Sequence, residues 1–574
     1  MNGKDNPARP TGPRPDPPTA EGMLSPGEPP KLRLADGLWA ALFLLTSAPA
    51  SWENIVRNQR GWDSSLFLWI GKRLLRGDVL YRDIWDNKLP PVYWANAFAA
   101  ATGHPEFTIW ILNVLGMTAA AWMIYRIAST RFGSFASGLA GLTYVSLYAT
   151  RYLLNLGSLT EHFAAPLAVL GVFALVQYAR GQRPGLLWAA VSGFAIAAAA
   201  LFRLPAVLVA ASLAALLPGL HRSGRLKPAA VLLWLGGALL ATAPVLGWAA
   251  WEGNLRLMLE FCVFGGARYA FGSEGPRWAT WGHVGAEWLN MLSRLWPWHV
   301  PAAVGLAICL RGRLGASSRS ATPGPRGLSW LAVVWLAAAV ASTLPSLRFY
   351  DHYYVLVVGP LALLSAWAWQ ALWRMGRRGR AAGALAAGVL LAGGLLALNR
   401  YRLDHIAIAE HRLSARHIRP ATEYLASAGS DRDTLFAFVW GVETDVQARL
   451  GWPCNTKHPI VRFYPHMPGG MAMMREWKQQ MLQTPPDWLI ACDGFDLVAG
   501  TVRPRSDWDR PETLAMVREI ARAYRGRYRP VKVLPLRPER QAVSADPRAA
   551  APAPVMVIYR RLPEDAAPAE PPRP

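Results

Sequence analysis

The chain has 574 residues, of which 52% are hydrophobic and only 17% are charged. A soluble protein carries about a quarter of charged residues, so this composition excludes an ordinary soluble enzyme. The formal net charge of +23 would suit a nucleic-acid-binding protein. However, the Lys and Arg residues stand in short clusters between apolar runs, which is typical of topology signals. We therefore expect a membrane protein that contacts lipids and binds no nucleic acid.

Apolar runs before residue 400 predict an all-α polytopic membrane domain, since a span needs roughly 20 mostly apolar residues and about eleven runs qualify. These runs are 34–52, 106–129, 135–150, 158–179, 184–202, 204–220, 228–251, 296–311, 327–346, 351–373 and 381–399. Residues 1–33 are rich in Pro, Gly and charge, which predicts a disordered tail. The predicted membrane domain therefore covers residues 34–399.

The loops between these runs differ in charge, and cytoplasmic loops are the ones enriched in Lys and Arg. The basic set of alternate loops holds Arg126, Arg131, Arg180, Arg183, Arg222, Arg225, Lys227, Arg311, Arg313, Arg319, Arg326, Arg374, Arg377, Arg378 and Arg380. This predicts a cytoplasmic N-terminus and an external C-terminal domain in a bacterial inner (plasma) membrane. The first external loop, residues 53–105, is basic as well, against the rule.

The chain after Leu398 alternates between strand and helix patterns, which predicts a small external α/β domain over residues 400–562. The expected strands are 434–440, 487–492, 531–534 and 555–559, and the expected helices are 412–428, 471–482 and 511–524. Residues 563–574 are expected to be a disordered tail. A disulfide between Cys454 and Cys492 stays open, because the sequence does not indicate that they are close.

The first external loop has a distinct pattern of its own. Leu66, Phe67, Ile70 and Leu74 share one face of a helix, which predicts a helix lying in the membrane interface. Gly77 can end this helix, and the pair Pro90–Pro91 predicts a second helix. Asp63 stands just before the first helix. There it either caps the helix or leaves that role to Ser64 and keeps a free carboxylate.

Other polar residues near predicted helix ends also admit two interpretations. Lys88 is either a snorkelling cation or a ligand-binding cation, and Asp83 and Asp86 are either a turn-forming cluster or part of a site. Glu161 opens the fourth span, where a charge is either a helix-terminus stabiliser or functional. Arg203 and the run from Arg348 to Tyr354 are either an aromatic belt with snorkelling cations or a binding group.

The ordered set of these residues resembles the first periplasmic loop of the GT-C superfamily of polyprenyl-phosphate-sugar-dependent glycosyltransferases. Protein O-mannosyltransferases and lipid A aminoarabinose transferases are the most similar families. Their pattern is an acidic residue, a helix, a GDxxYRD-like turn and a Lys before a Pro pair. The matching pieces here are Asp63, Gly77–Asp83 and Asn87–Pro91, with Leu89 inserted between Lys88 and the Pro pair.

The resemblance implies transfer of a sugar from a polyprenyl-phosphate donor to an acceptor hydroxyl at the external membrane face, with inversion. It implies that Asp63 is the general base and that Glu161 orients the acceptor or helps to hold a divalent metal ion. The acceptor stays open between a lipid, a polysaccharide and a protein. The implied donor-phosphate ligands are Lys88, Arg203 and Arg348, and the implied acceptor-binding or loop-shaping residues are Tyr81, Asp83, Asp86, His352 and Tyr353.

Two other classes of function remain open from the residues alone. A transporter or flippase of lipid-linked sugars would place polar residues in the middle of its spans and often shows repeated halves. Here the notable charges cluster at helix ends, which favours chemistry at the membrane surface. The other alternative is a non-catalytic membrane scaffold, which would not need Asp63 and Lys88 together.

Overall fold

The structure is a computed structural model of the chain. It describes residues 34–52, 55, 62–154, 157–182, 185–222, 224–265, 281–314, 325–345, 350–376, 378, 381, 385, 388, 418–438, 442–459, 470–492, 495–497, 499–502, 511–535 and 555–563. The predicted disordered tails, 1–33 and most of 563–574, lie outside these ranges.

Helices make up the N-terminal part. In chain order they are α1 (Leu34–Trp52), α2 (Trp62–Leu75), α3 (Pro91–Ala101), α4 (Pro105–Ala128), α5 (Ser134–Tyr148), α6 (Arg151–Leu154), α7 (Thr160–Arg180), α8 (Leu186–Phe202), α9 (Ser212–Arg222), α10 (Pro228–Trp251), α11 (Leu255–Met258), α12 (Trp281–Arg294), α13 (Trp296–Leu314), α14 (Pro325–Ala341) and α15 (Val358–Arg374). Two 3-10 segments, Leu204–Ala211 and Asp351–Val357, continue directly into α9 and α15, and one turn of π-helix covers Leu259–Phe264.

Six helical stretches among the described residues are long and apolar enough to cross a membrane: Leu34–Trp52, Pro105–Ala128, Thr160–Arg180, Leu204–His221, Pro228–Trp251 and Asp351–Arg374. The chain is therefore a multi-pass membrane protein. The first ten predicted spans each coincide with helical structure, although several are shorter than a full span. Run 381–399 lies almost wholly outside the described residues, so the count of eleven stays a prediction.

The membrane helices approach one another closely at glycines. A Cβ atom on Gly193 in α8 would lie 1.8 Å from the carbonyl oxygen of Trp234 in α10, and one on Gly237 would lie 2.0 Å from the carbonyl of Ala190. Helices in lipid gain stability from such close packing, because lipid tails are as apolar as the side chains. The glycines therefore fix α8 against α10.

The predicted first external loop contains α2 and α3, which lie against each other. Gly77 lies two residues after the end of α2 and has the left-handed backbone conformation (φ +95°). Pro90 directly precedes α3. Both positions agree with the sequence prediction. Residues 64–71 of α2 are all buried, because α3 and the C-terminal domain cover the helix. Its location in the membrane interface stays a prediction.

The C-terminal domain is a mixed sheet with helices. Its strands are β1 (Leu435–Ala437), β2 (Trp488–Cys492), β3 (Phe495–Asp496), β4 (Thr501–Val502), β5 (Tyr528–Pro535) and β6 (Val555–Arg561), and its helices are α16 (Arg419–Ala428), α17 (Val442–Leu450), α18 (Gly470–Gln483) and α19 (Pro511–Tyr524). The main sheet has the order β1-β2-β6-β5, with β1 parallel to β2 and the other neighbours antiparallel. The four expected strands and three expected helices are present, with altered ends.

Helix α17 was not predicted from the sequence, because its polar sequence lacks a strong apolar stripe. It lies against α2 and therefore matters for the site. Cys454 is a free cysteine in the structure; the side chain of Cys492 lies outside what the structure describes.

Candidate active site

Four titratable residues from distant parts of the chain lie close enough to interact electrostatically. Asp63 in α2 interacts with Lys88 and Asp86 in the following loop and with Glu161 at the start of α7. Three segments that are far apart in sequence therefore meet at one end of the membrane helices. This is the end that the charge pattern of the loops predicts to be external.

Asp63 lies in the first turn of α2, and not before the helix as the sequence predicts. Its carboxylate makes no hydrogen bond with the described residues, so it does not cap the helix; nor does the buried Ser64 hydroxyl, which has no partner there. Burial raises the pKa of Asp63 to about 6, and the nearby Lys88 charge offsets part of this effect. The result is a free carboxylate that changes its charge close to neutral pH.

Lys88 and Asp86 form the opposite side of this cluster. Lys88 Nζ donates to Asn87 Oδ1 at 2.7 Å. Burial alone would lower the pKa of Lys88, but the Asp86 and Asp63 carboxylates outweigh it, so the pKa is raised and the ammonium stays charged. The buried Asp86 carboxylate accepts hydrogen bonds from the Tyr93 hydroxyl and from the Asn87 backbone N–H, each at 2.6 Å. The inserted Leu89 therefore does not remove Lys88 from the cluster.

Tyr81 holds the loop that carries Lys88. Its side chain is fully buried and its φ is +69°, the left-handed conformation that few non-glycine residues adopt. Its hydroxyl donates to the backbone carbonyl of Lys88 at 2.6 Å, and Asn254 Nδ2 donates to the adjacent Leu80 carbonyl at 2.8 Å. Strained backbone persists where its surroundings over-determine it, so Tyr81 fixes the backbone at Lys88.

Glu161 and Arg203 form an ion pair at the helix ends. Arg203 Nη1 donates to Glu161 Oε1, and Thr160 Oγ1 donates to Glu161 Oε2 at 3.0 Å. The Arg203 guanidinium also lies over the ring of Tyr353, 3.7 Å from its centroid. Its buried Nε has no hydrogen-bond partner among the described residues. Arg203 is thus both a partner of Glu161 and an available donor.

The 3-10 segment before α15 brings further aromatic groups to the cluster. His352 stacks on Tyr350 at 5.7 Å and meets Tyr353 edge to face at 5.0 Å. His352 also interacts electrostatically with Glu161 and Arg203. Arg348, the third predicted phosphate ligand, lies outside the described residues.

Asp83 is separate from this cluster. It is exposed, pairs with Arg82 at 2.8 Å and accepts the Val79 backbone N–H at 2.8 Å. The hydrogen bond from Arg82 lowers the pKa of Asp83. Of the two roles that the resemblance implies for Asp83, its contacts fit loop-shaping.

Three residues that contact the loop around Lys88 were not predicted from the sequence: Tyr93, Asn254 and Cys262. Cys262 Sγ lies 3.3 Å from the carbonyl oxygen of Lys88 and 3.4 Å from the Tyr81 hydroxyl. Tyr93 stands seven residues after Asp86, on the helix that the Pro pair predicts, so its position was accessible. Asn254 and Cys262 lie about 170 residues farther along, and nothing local in sequence links them to the loop.

The described residues contain no group of three or more His, Cys, Asp or Glu side chains that could hold a metal ion. Glu161, the residue that the resemblance implied for this role, is paired with Arg203. The divalent metal ion that the resemblance implies stays a prediction.

Comparison with known proteins bears on the fold. No family model and no curated protein sequence matches the chain. The structure of ArnT from Cupriavidus metallidurans bound to undecaprenyl phosphate matches it with a TM-score of 0.55 and 12% identity, covering 91% of this chain and 97% of that one. The chain has the GT-C fold. The resemblance seen in the first loop is therefore confirmed at the level of fold.

Two further structures are similar at lower TM-scores. The archaeal oligosaccharyltransferase AglB from Archaeoglobus fulgidus, in complex with an inhibitory peptide and a dolichol-phosphate, gives 0.46 with 11% identity, covering 80% of this chain and 70% of that one. The arabinofuranosyltransferase AftD from Mycobacteria gives 0.49 with 15% identity, covering 92% and 41%. The assignment of the GT-C fold rests on the first comparison alone.

Proposed function

We propose that the protein is a glycosyltransferase that moves a sugar from a polyprenyl-phosphate donor to an acceptor hydroxyl at the external face of the inner membrane. The observation that carries the proposal is the free Asp63 carboxylate beside Lys88, facing the Glu161–Arg203 pair, at one end of membrane helices with the GT-C fold. ArnT, which shares the fold, was solved with undecaprenyl phosphate bound. That ligand belongs to the class of lipid proposed here.

Asp63 is suited to be the general base. A base works best when its pKa lies near the working pH, because it is then mostly deprotonated and still holds a proton well. With a pKa of about 6, Asp63 meets this condition, and its carboxylate has no hydrogen bond to the described residues that it would have to give up. It would take the proton of the acceptor hydroxyl as the oxygen attacks the anomeric carbon. The polyprenyl phosphate leaves with the bonding electron pair, and in-line attack inverts the anomeric centre.

Cations near the base are suited to the donor phosphate. Lys88 keeps its charge in this environment, and Arg203 has a buried Nε without a partner among the described residues. Hydrogen bonds from such groups to phosphate oxygens are among the strong ones in proteins. They would stabilise the phosphate as it gains charge on leaving. Arg348 is proposed as a third ligand from its sequence position alone.

Glu161 is proposed to act through Arg203. Its two oxygens accept from Arg203 and from Thr160, so the carboxylate holds the guanidinium in place. Tyr353 supports the other face of the same group. The acceptor side is assigned to His352 and Tyr353, whose rings lie next to the pair. The acceptor itself stays open between a lipid, a polysaccharide and a protein.

The experiment that tests the proposal starts with the lipid that co-purifies with the protein. Mass spectrometry of the lipid extract is expected to find a polyprenyl-phosphate sugar, and incubation with candidate acceptors is expected to move that sugar. A protein that binds the lipid-linked sugar and carries it across vesicle membranes without forming product would be a flippase instead. A protein that binds no such lipid would fit the scaffold alternative.

A further inference from the structure

The helix that carries Asp63 is also held by the C-terminal domain. Three side chains of α2 donate hydrogen bonds to that domain, those of Ser65, Trp69 and Lys72, and so does Arg76 directly after the helix. Their spacing of four, three and four residues places them on one face of a helix. The domain therefore contacts α2 along most of its length, on one continuous stripe.

Most of the acceptors are backbone carbonyls at the end of α17. Lys72 Nζ donates to the Ala448 carbonyl and Arg76 Nη1 to the Gly451 carbonyl, each at 2.6 Å. The last carbonyls of a helix lack partners within the helix and favour positive charge. These basic residues of the first loop therefore cap a helix of the C-terminal domain, which accounts for part of the charge that breaks the topology rule.

Gly451 lies where the two cations meet the end of α17. It follows α17 in the left-handed conformation, with φ +69°, as is common for the glycine that ends a helix. A Cβ atom there would lie 3.4 Å from Lys72 Cδ and 3.6 Å from Arg76 Nη2. Because these are ordinary contact distances, the glycine is explained by its backbone conformation at the end of α17.

The contact nearest to Asp63 is between two buried side chains. Ser65 Oγ donates to Asp445 Oδ1 in α17, and the two residues are 0% and 7% exposed. Ser65 follows Asp63 by two residues on the same helix. A shift of α2 that moved Asp63 would therefore also break this buried hydrogen bond to a carboxylate, which costs free energy.

A second contact fixes the other side of the cluster. The backbone N–H of Trp85 donates to the Lys457 carbonyl at 2.7 Å, and the Trp85 ring lies against the His458 ring at 6.3 Å. Trp85 directly precedes Asp86 and stands three residues before Lys88. The C-terminal domain thus holds the loop both at the helix of Asp63 and next to Lys88.

We propose that Asp445, through Ser65, is a positioning residue for Asp63, and that the C-terminal domain is part of the catalytic assembly. The proposal rests on the proposed function, in which Asp63 is the base. It gives the domain a role beyond shaping access of the acceptor. On the other side of α2, Gly71 lies directly against the α3 backbone, so α17 completes the support of the helix.

The test compares Asp445→Ala, Asp445→Asn and Ser65→Ala in the full-length protein in lipid nanodiscs. We expect Asp445→Ala to lower kcat about tenfold or more, since small misplacements of catalytic groups have effects of this order. The KM for the donor should stay unchanged. Asp445→Asn should recover most of the activity, because its amide oxygen still accepts the Ser65 hydroxyl. The double variant Ser65→Ala/Asp445→Ala should be no slower than Asp445→Ala alone, since the two residues act through one contact.

A second readout does not depend on transfer. Dicyclohexylcarbodiimide modifies protonated carboxyls in apolar surroundings, and mass spectrometry can follow its reaction at Asp63. In the wild-type protein the labelling should lose half its extent near pH 6. In Asp445→Ala this midpoint should fall towards the value of an exposed Asp, about 4. Glu519→Ala is the matched control, because it removes an exposed carboxylate of the same domain that pairs with Lys478.

Unchanged kcat and an unchanged labelling midpoint in Asp445→Ala would overturn the proposal. An equal loss in Glu519→Ala would overturn it as well, since the effect would then be one of general stability. If Asp445→Ala does not fold, Ser65→Ala decides by the same two readouts. A wild-type protein that is labelled near pH 6 but transfers no sugar would overturn the proposed function alone, and the labelling comparison would still decide the positioning role.

Discussion

At the scale of single residues, the site depends on one carboxylate whose surroundings oppose its charge. Asp63 is half-buried in a helix, and its carboxylate has no hydrogen-bond partner among the described residues. Burial and the carboxylates of Asp86 and Glu161 raise its pKa, and the Lys88 charge offsets part of this effect. A group in this state is costly for stability and useful for proton transfer. The chemistry proposed here therefore has a pH dependence that can be measured.

We expect kcat to be nearly constant above pH 7 and to fall as the pH drops through 6. The sign follows from the role of Asp63, because a general base works only when it is deprotonated, and its pKa is raised to about 6. Below that value the rate should fall about tenfold per pH unit. The measurement is kcat at saturating donor between pH 5 and 8. A flat profile down to pH 5 would contradict the role of Asp63.

We expect Lys88→Ala to weaken donor binding by about 1.5–3 kcal/mol, the usual value of a hydrogen bond to a charged group. Titration with the donor lipid measures this loss, and Lys478→Ala, which removes a cation from the C-terminal domain, is the control. Loss of the Lys88 charge should also move the acid limb of the kcat profile to higher pH, because this charge lowers the pKa of Asp63. An unchanged donor affinity would count against a phosphate role for Lys88.

At the scale of secondary-structure elements, the position of α2 depends on a close contact with α3. A Cβ atom on Gly71 would lie 2.6 Å from the Ala97 backbone nitrogen and 2.7 Å from the Asn96 carbonyl carbon. Backbone atoms cannot move aside as a flexible side chain can. The two helices of the first loop could not keep their present separation with any larger residue at this position.

We therefore expect Gly71→Ala to lower both the thermal stability and the transfer rate, by forcing α2 away from α3. Gly236→Ala is the matched control, since a Cβ there meets nothing within 4 Å and alanine favours the helix by about 1 kcal/mol. The measurements are the Tm in detergent and kcat in nanodiscs. A Gly71→Ala protein as stable and as active as Gly236→Ala would show that the contact is not needed.

The elements differ in how well the sequence predicts them. The span Thr160–Arg180 and the helix Pro511–Tyr524 follow from local pattern alone, because the period of apolar residues is their main signal. The environment of α2 does not follow from local pattern. Its apolar face predicts a membrane surface, whereas its polar face is covered by α17, more than 360 residues away in the chain. This contact between α17 and α2 is seen only in the tertiary structure.

At the scale of the whole molecule, the predicted topology places the cluster and the C-terminal domain on one side of the membrane. The structure agrees that they share a side, since α2 and Trp85 both contact that domain. Which side this is remains a prediction from the charges of the loops. The side of the membrane on which the proposed chemistry takes place depends on the same prediction.

We expect an engineered protease site near Asp404 to be cut by external protease in spheroplasts and to be protected in inverted vesicles. The reason is that the basic loops keep the opposite helix ends in the cytoplasm. A matched site after Met1 should give the reverse pattern. Cleavage near Asp404 in inverted vesicles alone would place Asp63, Glu161 and the C-terminal domain in the cytoplasm.

The sequence predicts the composition of the candidate site better than its connections. Asp63, Lys88 and Glu161 were accessible because each stands at a predicted helix end or turn in an ordered motif. The pairing of Arg203 with Glu161 was not accessible, because 42 residues separate them and either could have faced a ligand. Supports such as Asn254 and Asp445 are ordinary polar residues in sequence, and only their long-range contacts distinguish them.

The most direct test of the account is sugar transfer by Asp63→Asn compared with the wild-type protein, in nanodiscs with the polyprenyl-phosphate sugar and its acceptor. The amide has nearly the same shape and cannot act as a base, so we expect donor binding to persist and transfer to be lost. Glu519→Ala should transfer sugar at the wild-type rate. Transfer by Asp63→Asn at the wild-type rate would contradict the account.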